Sequence, residues 1–290
     1  MIMATHPLLP AIIDWGRGDN AIRAVVITGS LARGDGSVDA FSDLDAQIIT
    51  TNAAPYCDDD SWLDALGEVW IRFPLDRSAP YRLVWFAGGS KVDFQFIHID
   101  RIRAMIASDR LSDEYLRGYH VALDKDGLYQ QLSLSPRAFP QPPAPSPEQV
   151  AACLNEFWFE AIHVAQFIRR REFWVVKFRD WTMKTMLLRA LEWHAHATAN
   201  APTNTWLLGK RIHEWARWDD YAAISRIWAG WDARQLWRAL RIQVDLFARL
   251  SDELCAALDY AQPIAAREAI RAYIHALYAD DSEAAHGCPE

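Results

Sequence analysis

Residues 29–45 read Gly-Ser-Leu-Ala-Arg-Gly-Asp-Gly-Ser-Val-Asp-Ala-Phe-Ser-Asp-Leu-Asp, and this is the most informative segment of the first half of the chain. It follows an apolar run at residues 24–28 that is typical of a buried strand. Gly29 has no Cβ, so the backbone there can approach a ligand closely, and Ser30 offers a hydroxyl and an N–H. Both features suit a phosphate group.

Three aspartates extend this pattern. Asp43 and Asp45 lie two residues apart at the start of a predicted strand, so their side chains leave one face while Leu44 points into the core. Asp93 stands between apolar neighbours in a later strand, where a carboxylate is costly to bury unless it binds a cation or accepts hydrogen bonds. Each feature alone is common in turns and strand ends. In this order they predict a magnesium site, because Mg²⁺ is usually held by one or two carboxylates plus substrate phosphates.

The rest of the first half contains short β-rich runs, of which the last two flank Gly88-Gly89, a pair suited to a hairpin turn. The further predicted strands are residues 44–51, 69–73, 82–87 and 91–99. Helices are predicted at about residues 7–16, 60–67 and 100–107. The pattern predicts an α+β domain over residues 1–135, with a mixed β-sheet flanked by helices.

Six prolines in the twelve residues 136–147 mark a linker, because proline continues neither a helix nor a sheet ladder. Ser146, Pro147 and Gln149 then form the pattern of a helix start with a capping box. Helical periodicity predicts a C-terminal α-helical bundle over residues 148–279 and a flexible tail at 280–290. Its helices are expected near residues 147–170, 172–198, 206–216, 219–229, 232–259 and 263–278.

The composition is that of an acidic globular protein. The 290 residues include 30 Lys+Arg and 38 Asp+Glu, which gives a net charge of −8. This charge disfavours nucleic acid as a partner and suits a basic small molecule. We expect no membrane partner and a cytoplasmic location, because no secretory signal or run of about 18 apolar residues occurs. The widely spaced cysteines, Cys57, Cys153, Cys255 and Cys288, are expected to be free thiols.

The order of Gly-Ser, Asp-x-Asp and a later carboxylate resembles the DNA polymerase β-like nucleotidyltransferase superfamily. This resemblance implies a two-metal transfer of a nucleotide from a nucleoside triphosphate to a hydroxyl, with release of pyrophosphate. It also implies that Asp43 and Asp45 hold the nucleotide-bound metal. Asp93 would complete the second metal site and accept the proton of the acceptor, directly or through the metal that activates the hydroxyl.

The second half narrows the resemblance to the aminoglycoside 6-adenylyltransferases, also called streptomycin adenylyltransferases. Residues 154–158, 176–178, 187–193 and 208–210 are similar to that family's stretches Asn-Glu-Phe-Trp, Ala-Lys-Tyr, Leu-Leu-x-x-x-Glu-Trp and Val-Gly-Lys. The family commonly has Arg directly after Gly-Ser, whereas this chain has Leu31 there and its basic residue is Arg33. The resemblance implies transfer of AMP from Mg-ATP to the 6-hydroxyl of streptomycin, antibiotic resistance, and an active site in a cleft between the two domains.

Further binding residues are expected in the bundle. Lysines in apolar helical contexts usually extend their amines to solvent, but the resemblance favours a clamp on the triphosphate. The predicted nucleotide-binding residues are Gly29, Ser30, Arg33, Lys177 and Lys210. An aminoglycoside that carries guanidinium groups needs carboxylates to pair with and aromatic rings to stack on. The predicted acceptor-binding residues are Glu156, Glu160, Asp180 and Trp158, with Trp174 and Trp181 close in sequence.

Two alternatives remain open. The same chemistry could act on another acceptor, such as a lincosamide, another aminocyclitol or a protein side chain. The chain could instead be a catalytically inactive nucleotide-sensing or toxin-neutralising module of the same fold, although its intact acidic positions argue against this. A monomer and a homodimer are both compatible with the sequence.

Overall fold

The computed structural model of the protein describes residues 6–36, 38–132, 138–205 and 207–286. The chain divides into two compact units, Met1–Pro140 and Gln141–Glu290, so the division falls inside the proline-rich segment. Within the described ranges, no helix combines the length and apolar character that a membrane crossing requires. Cys57, Cys153 and Cys255 are buried free thiols, and Cys288 lies outside the described residues.

The first unit is built on a six-stranded mixed sheet, which confirms the predicted α+β class. Its strands are β1 Ile22–Ile27, β2 Leu44–Thr50, β3 Val69–Phe73, β4 Tyr81–Phe86, β5 Lys91–His98 and β6 His120–Asp124. Their order is β3-β4-β5-β2-β1-β6. Strands β2 and β5 are parallel, and all other neighbours are antiparallel. Strand β6 has no clear signal in the sequence, because its apolar residues form only a short run before a polar turn.

Helices cover the sheet of the first unit. They are α1 Leu9–Gly18, α2 Gly29–Arg33, α3 Ala54–Asp58, α4 Ile99–Ser108 and α5 Asp113–Arg117, with short 3-10 helices at Ser61–Ala65 and Leu128–Gln131. Successive strand residues alternate between two apolar clusters, as Ile48 and Ile49 of β2 do. Both faces of the sheet therefore pack against apolar side chains, whereas the edge strand β3 is largely exposed.

The guanidinium of Arg82 is buried inside the first unit. The Arg82 side chain is 1% exposed, and its Nε donates to Asp60 at 2.7 Å. Its Nη1 donates to the carbonyls of Ala79 and Tyr81 at 2.9 and 2.8 Å, and its Nη2 donates to the carbonyl of Cys57. Asp60 also accepts from the exposed Arg72 at 2.6 Å. Arg82 therefore joins β4 to the loop before it and to the end of α3.

The second unit is α-helical, as predicted. Its helices are α6 Pro147–Arg169, α7 Phe173–Thr198, α8 Ile212–Trp215, α9 Trp218–Ile224, α10 Ala233–Ala257 and α11 Arg267–His286. The capping box is confirmed, because Ser146 and Gln149 exchange hydrogen bonds. Four long helices, α6, α7, α10 and α11, enclose one apolar core. In it the rings of Phe157 and Phe247 stack with their centroids 3.6 Å apart.

Two boundaries in the second unit differ from the prediction. The helix expected at 206–216 is reduced to α8, because Leu207, Leu208, Gly209 and Arg211 have positive φ angles, which no right-handed helix accommodates. Helix α11 continues to His286, through most of the segment predicted as a flexible tail. Asp281 is buried there and accepts hydrogen bonds from Trp237 Nε1 at 2.7 Å and Arg171 at 3.0 Å, which ties this end of the helix to the unit.

Candidate active site

The three predicted aspartates meet near the N-terminal ends of two neighbouring strands in the first unit's sheet. Asp43 directly precedes β2, Asp45 lies in β2, and Asp93 lies in β5. The parallel pairing of these strands places Asp45 directly opposite Asp93. Each carboxylate offers one oxygen atom, and the three oxygens lie within 4.8 Å of one another. Leu44 is buried in the core, as the alternation of the strand requires. We call these three residues the carboxylate trio.

Lys91 is a charged residue of this site that the sequence analysis missed. Its Nζ lies 2.8 Å from Asp43 and 2.7 Å from Asp93. Although burial lowers the pKa of Lys91, hydrogen bonds to Asp43 and Asp93 outweigh it and raise that pKa. A signal was present, since Lys91 and Asp93 are two residues apart in a strand and share a face, but such pairs are common.

Charge in the carboxylate trio is only partly balanced. Burial, followed by repulsion from Asp43 and Asp93, raises the pKa of Asp45 to about 7. Burial also raises the pKa of Asp93. Asp93 Oδ1 is buried and, among the described residues, makes no hydrogen bond of acceptable geometry, although it lies 2.7 Å from Lys91 Nζ. Three clustered carboxylates with one ammonium are a donor set that fits a divalent cation.

Gly29 allows β1 to turn against the carboxylate trio. Its φ of 65° lies in the left-handed region that favours glycine. A Cβ at this position would lie 1.7 Å from Asp45 Oδ2, which no real contact permits. The backbone N–H of Thr28 donates to the carbonyl of Asp45 at 3.0 Å and fixes the approach. Gly29 is therefore the residue whose absent side chain makes room for Asp45.

The other predicted phosphate contacts of the first unit lie in α2. Ser30 is half-buried in its first turn, one residue beyond Gly29. Arg33, in its last turn, pairs with Asp35 at a distance of 3.1 Å between Nε and Oδ2. The structure thus keeps Gly29, Ser30 and Arg33 on one short segment that begins beside Asp45.

A cavity of about 210 Å³ adjoins the carboxylate trio. Besides Asp45 and Asp93 it is lined by Thr28, Gln47 and Glu114, among others. Glu114 accepts hydrogen bonds from Thr28 Oγ1 at 3.0 Å and from Gln47 Nε2 at 2.7 Å. No sequence motif pointed to these residues, because they come from the residue after β1, from β2 and from α5, and meet only in the folded sheet.

The predicted lysines of the second unit have different surroundings. Lys177 lies in α7, and its Nζ donates to the carbonyl of Ala229. Lys210 is exposed and lies in the turn before α8 instead of in a helix. Lys177 therefore already has a backbone acceptor, whereas the Lys210 side chain extends from the surface of its unit.

Trp158 does not occupy the position expected of a stacking wall. It is 1% exposed and packs edge-on against Phe157 and Phe247 inside the core of the second unit. Its position on α6 faces the other helices of the bundle, so the ring has no free face for a ligand. We correct its assignment from acceptor binding to core packing.

The acidic candidates of the second unit differ in their partners. Glu160 pairs with Arg179 at 2.9 Å, and Asp180 pairs with Lys184. Glu156 is exposed, and the described part of the chain gives it no ion pair. Of the three carboxylates, Glu156 is therefore the one that can pair with an external cation without breaking an internal bridge.

Exposed aromatic rings line one side of α7. Trp174 is 78% exposed and Trp181 is 64% exposed. Their spacing of seven residues places them on one helix face. The centroid of Trp174 lies 6.5 Å from that of Trp231, and the centroid of Trp181 lies 6.2 Å from that of Trp228. This face offers the stacking surfaces that Trp158 does not.

Comparisons with known proteins give a family match over most of the chain and several similar proteins. The family model described as streptomycin adenylyltransferase matches residues 4–277. Aminoglycoside 6-adenylyltransferase from Campylobacter jejuni is 22% identical over 265 residues, which cover 87% of this chain and 88% of that protein. The enzyme of the same name from Bacillus subtilis is 22% identical over 270 residues, covering 88% and 92%. A crystal structure of an aminoglycoside 6-adenyltransferase from Bacillus subtilis superposes with a TM-score of 0.46 at 18% identity, covering 94% of this chain and 98% of that one.

Proposed function

The chain belongs to the streptomycin adenylyltransferase family and is therefore a nucleotidyltransferase, and we propose that it transfers AMP from Mg-ATP to a hydroxyl of an aminoglycoside. Streptomycin is the acceptor that we propose, with its 6-hydroxyl as the site of transfer and pyrophosphate as the second product. The observation that carries this proposal is the carboxylate trio, whose oxygens lie within 4.8 Å of one another beside a glycine that leaves room for Asp45.

The residues of the carboxylate trio fit magnesium. Carboxylate oxygens are the ligands this ion prefers, and buried Asp93 Oδ1 has no hydrogen-bond partner among the described residues. We assign Asp43 and Asp45 to the ion that accompanies the nucleotide, and Asp93 to the second ion. When bound, such ions offset the charge of the triphosphate and make the acceptor hydroxyl easier to deprotonate.

The remaining steps use the chain's own groups. Asp93 lies opposite Asp45 on the neighbouring strand, and we assign to it the acceptance of the proton from the acceptor hydroxyl. Gly29 lies beside Asp45 and begins α2, which also holds Ser30 and Arg33, and we assign to this segment the presentation of a backbone free of side-chain bulk, a hydroxyl and a guanidinium to the phosphates. Lys91 keeps Asp43 and Asp93 close together despite their like charges. Lys177 and Lys210 are the proposed phosphate contacts of the second unit.

The acceptor side of the proposal rests on α6 and α7. Streptomycin carries guanidinium groups, which pair with carboxylates and stack on aromatic rings. Glu156 is exposed and without an ion pair in the described part of the chain, and Trp174 and Trp181 expose their rings. We therefore propose Glu156, Trp174 and Trp181 as acceptor contacts. Glu160 and Asp180 enter only if their internal bridges open.

Mass spectrometry of streptomycin incubated with the protein, ATP and Mg²⁺ tests the reaction. We expect one adenylyl group on the drug and one pyrophosphate released per drug modified. Asp43→Asn and Asp45→Asn should each reduce turnover to less than about a tenth, because metal-supported steps contribute several kcal/mol, while the far-UV circular dichroism stays unchanged. Turnover retained in either variant contradicts the metal assignment.

An acceptor panel separates this proposal from its rivals. Modification of a lincosamide or another aminocyclitol, with streptomycin unmodified, would keep the chemistry and replace the acceptor. Absence of pyrophosphate release with every acceptor, together with measurable ATP binding, would favour an inactive nucleotide-sensing module.

Steady-state kinetics of Glu156→Gln tests the acceptor contact. Loss of the carboxylate should raise the KM for streptomycin by about tenfold, roughly 1.4 kcal/mol, and leave the KM for ATP unchanged. Glu160→Gln is the matched control on the same helix, because the Glu160 carboxylate is already paired with Arg179. Equal effects of the two substitutions on the drug's KM would refute the role of Glu156.

A further inference from the structure

Four arginines line a cavity in the second unit. None of the nucleotide-binding or acceptor-binding residues proposed above lines this cavity. Its volume is about 640 Å³. The arginines are Arg226, which follows α9, and Arg234, Arg238 and Arg241 of α10. Asp245 and Tyr278 contribute to the same wall. We call this the arginine cavity.

The placement of these arginines opposes helix stability. Arg234, Arg238 and Arg241 are spaced four and three residues apart, so they share one face of α10. Like charges four residues apart destabilise a helix. Arg234 also lies in the first turn, where the helix dipole favours anions over cations. Folding alone gives no reason to collect cations at this end of the helix.

The chain supplies little counter-charge. Among the described residues, none of the four arginines forms an ion pair. The acid in the wall, Asp245, is bound by Arg271 of α11 at a distance of 2.8 Å. The arginine cavity is therefore strongly positive in a protein whose net charge is −8.

Arg241 is held in place without using its donors. Its guanidinium carbon lies 4.8 Å from the centroid of the Tyr278 ring, a cation–π distance. Its Nε is buried and, in the described part of the chain, has no hydrogen-bond partner. A fixed guanidinium with unused N–H groups loses little entropy when an anion binds.

We propose that the arginine cavity binds a multiply charged phosphate anion. Guanidinium groups pair with phosphate oxygens through two parallel hydrogen bonds, and four of them line a space large enough for a phosphate-bearing ligand. The net charge of −8 disfavours the longer contact that a nucleic-acid backbone would make. This inference does not rest on the proposed function, because it uses none of the residues of the carboxylate trio.

Calorimetric titration of pyrophosphate into the full-length protein, with chelator and without Mg²⁺, tests the proposal. Without metal, the carboxylate trio repels pyrophosphate, and the loss of affinity in a cavity variant measures the part of the binding that belongs to the arginine cavity. Arg238→Ala should weaken pyrophosphate binding by about tenfold, because it removes the charge-assisted hydrogen bonds that the exposed Arg238 guanidinium would donate to the anion. Arg170→Ala is the matched control, because it removes an exposed arginine of the same unit outside the cavity and should change the affinity by less than about twofold.

Three ligands distinguish the sources of the phosphate. The titration is repeated under the same conditions with inorganic phosphate, pyrophosphate and ATP. Each ligand that binds the wild-type protein should bind Arg238→Ala more weakly. Tighter binding of ATP than of pyrophosphate identifies a nucleotide as the occupant, and the reverse order identifies inorganic pyrophosphate.

Three outcomes would overturn the proposal. They are no binding of any of the three ligands, equal loss in Arg170→Ala and Arg238→Ala, and displacement of pyrophosphate by a short DNA duplex at lower concentration than by ATP.

Discussion

Gly29→Ala is the substitution that best separates the geometry of the site from the stability of the fold. The added Cβ would lie 1.7 Å from Asp45 Oδ2, whereas non-bonded atoms rest about 3.5 Å or more apart. The Asp45 carboxylate must therefore move by nearly 2 Å, away from the oxygens of Asp43 and Asp93. Since misplacement by about 1 Å can cost about a hundredfold in rate, we expect kcat for adenylyl transfer to fall by at least that factor.

The same substitution also strains the backbone. A non-glycine residue at a φ of 65° costs roughly 1–2 kcal/mol, which lowers the melting temperature by a few degrees. Gly127→Ala is the matched control, because Gly127 has the same φ of 65° and its added Cβ meets only ordinary contacts at 3.8 Å or more. Both variants should melt a few degrees early, and only Gly29→Ala should lose activity. The reasoning is refuted if Gly29→Ala keeps more than about a tenth of wild-type kcat, or if Gly127→Ala loses as much.

Two further predictions concern buried charges. Arg82→Met should lower the free energy of unfolding by about 3 kcal/mol or more, because three carbonyls lose their donor. Arg72→Met, which removes the exposed partner of Asp60, should lower it by less than about 1 kcal/mol. Equal losses for the two variants in urea denaturation would contradict this. Burial raises the pKa of Glu192 from 4.5 to about 7, against the opposing effect of the Arg189 charge. Between these pH values the folded protein holds a proton that the unfolded chain has released. The free energy of unfolding therefore falls as the pH rises from 4.5 to 7. Glu192→Gln should remove this fall and stabilise the protein at pH 8 by of order 1 kcal/mol after allowance for partial exposure, and parallel stability curves for variant and wild type would refute it.

The sequence predicted the carboxylate trio because the information is local. Strand alternation places Asp43 and Asp45 on one face, and an isolated acid among apolar residues identifies Asp93. Lys91 was missed because a Lys-x-Asp pair has many uses, and only the parallel pairing of β2 with β5 brings it to Asp43. Local patterns thus predict which side chains share a face, and register decides what they meet.

Helical periodicity has a similar limit in the second unit. Trp158 and Trp174 both lie on long helices, yet the first is buried against α10 and the second is exposed. Periodicity indicates the apolar face of a helix, but not whether a neighbouring helix covers it. The predicted helix before Ile212 is absent for another reason. Leu207 and Leu208 have left-handed backbone conformations in the fold, which the helix propensity of leucine does not indicate.

The pairing of β2 with β5 brings together groups that are far apart in the sequence. Asp43 and Lys91 are separated by 48 positions, and such long-range pairing is slow to form. A slip by one residue would turn Asp93 to the opposite face of the sheet. In register, β5 adds the carboxylate of Asp93 to those of Asp43 and Asp45, and Lys91 adds an ammonium from the same strand. The segment that completes the acidic cluster therefore brings part of its own counter-charge.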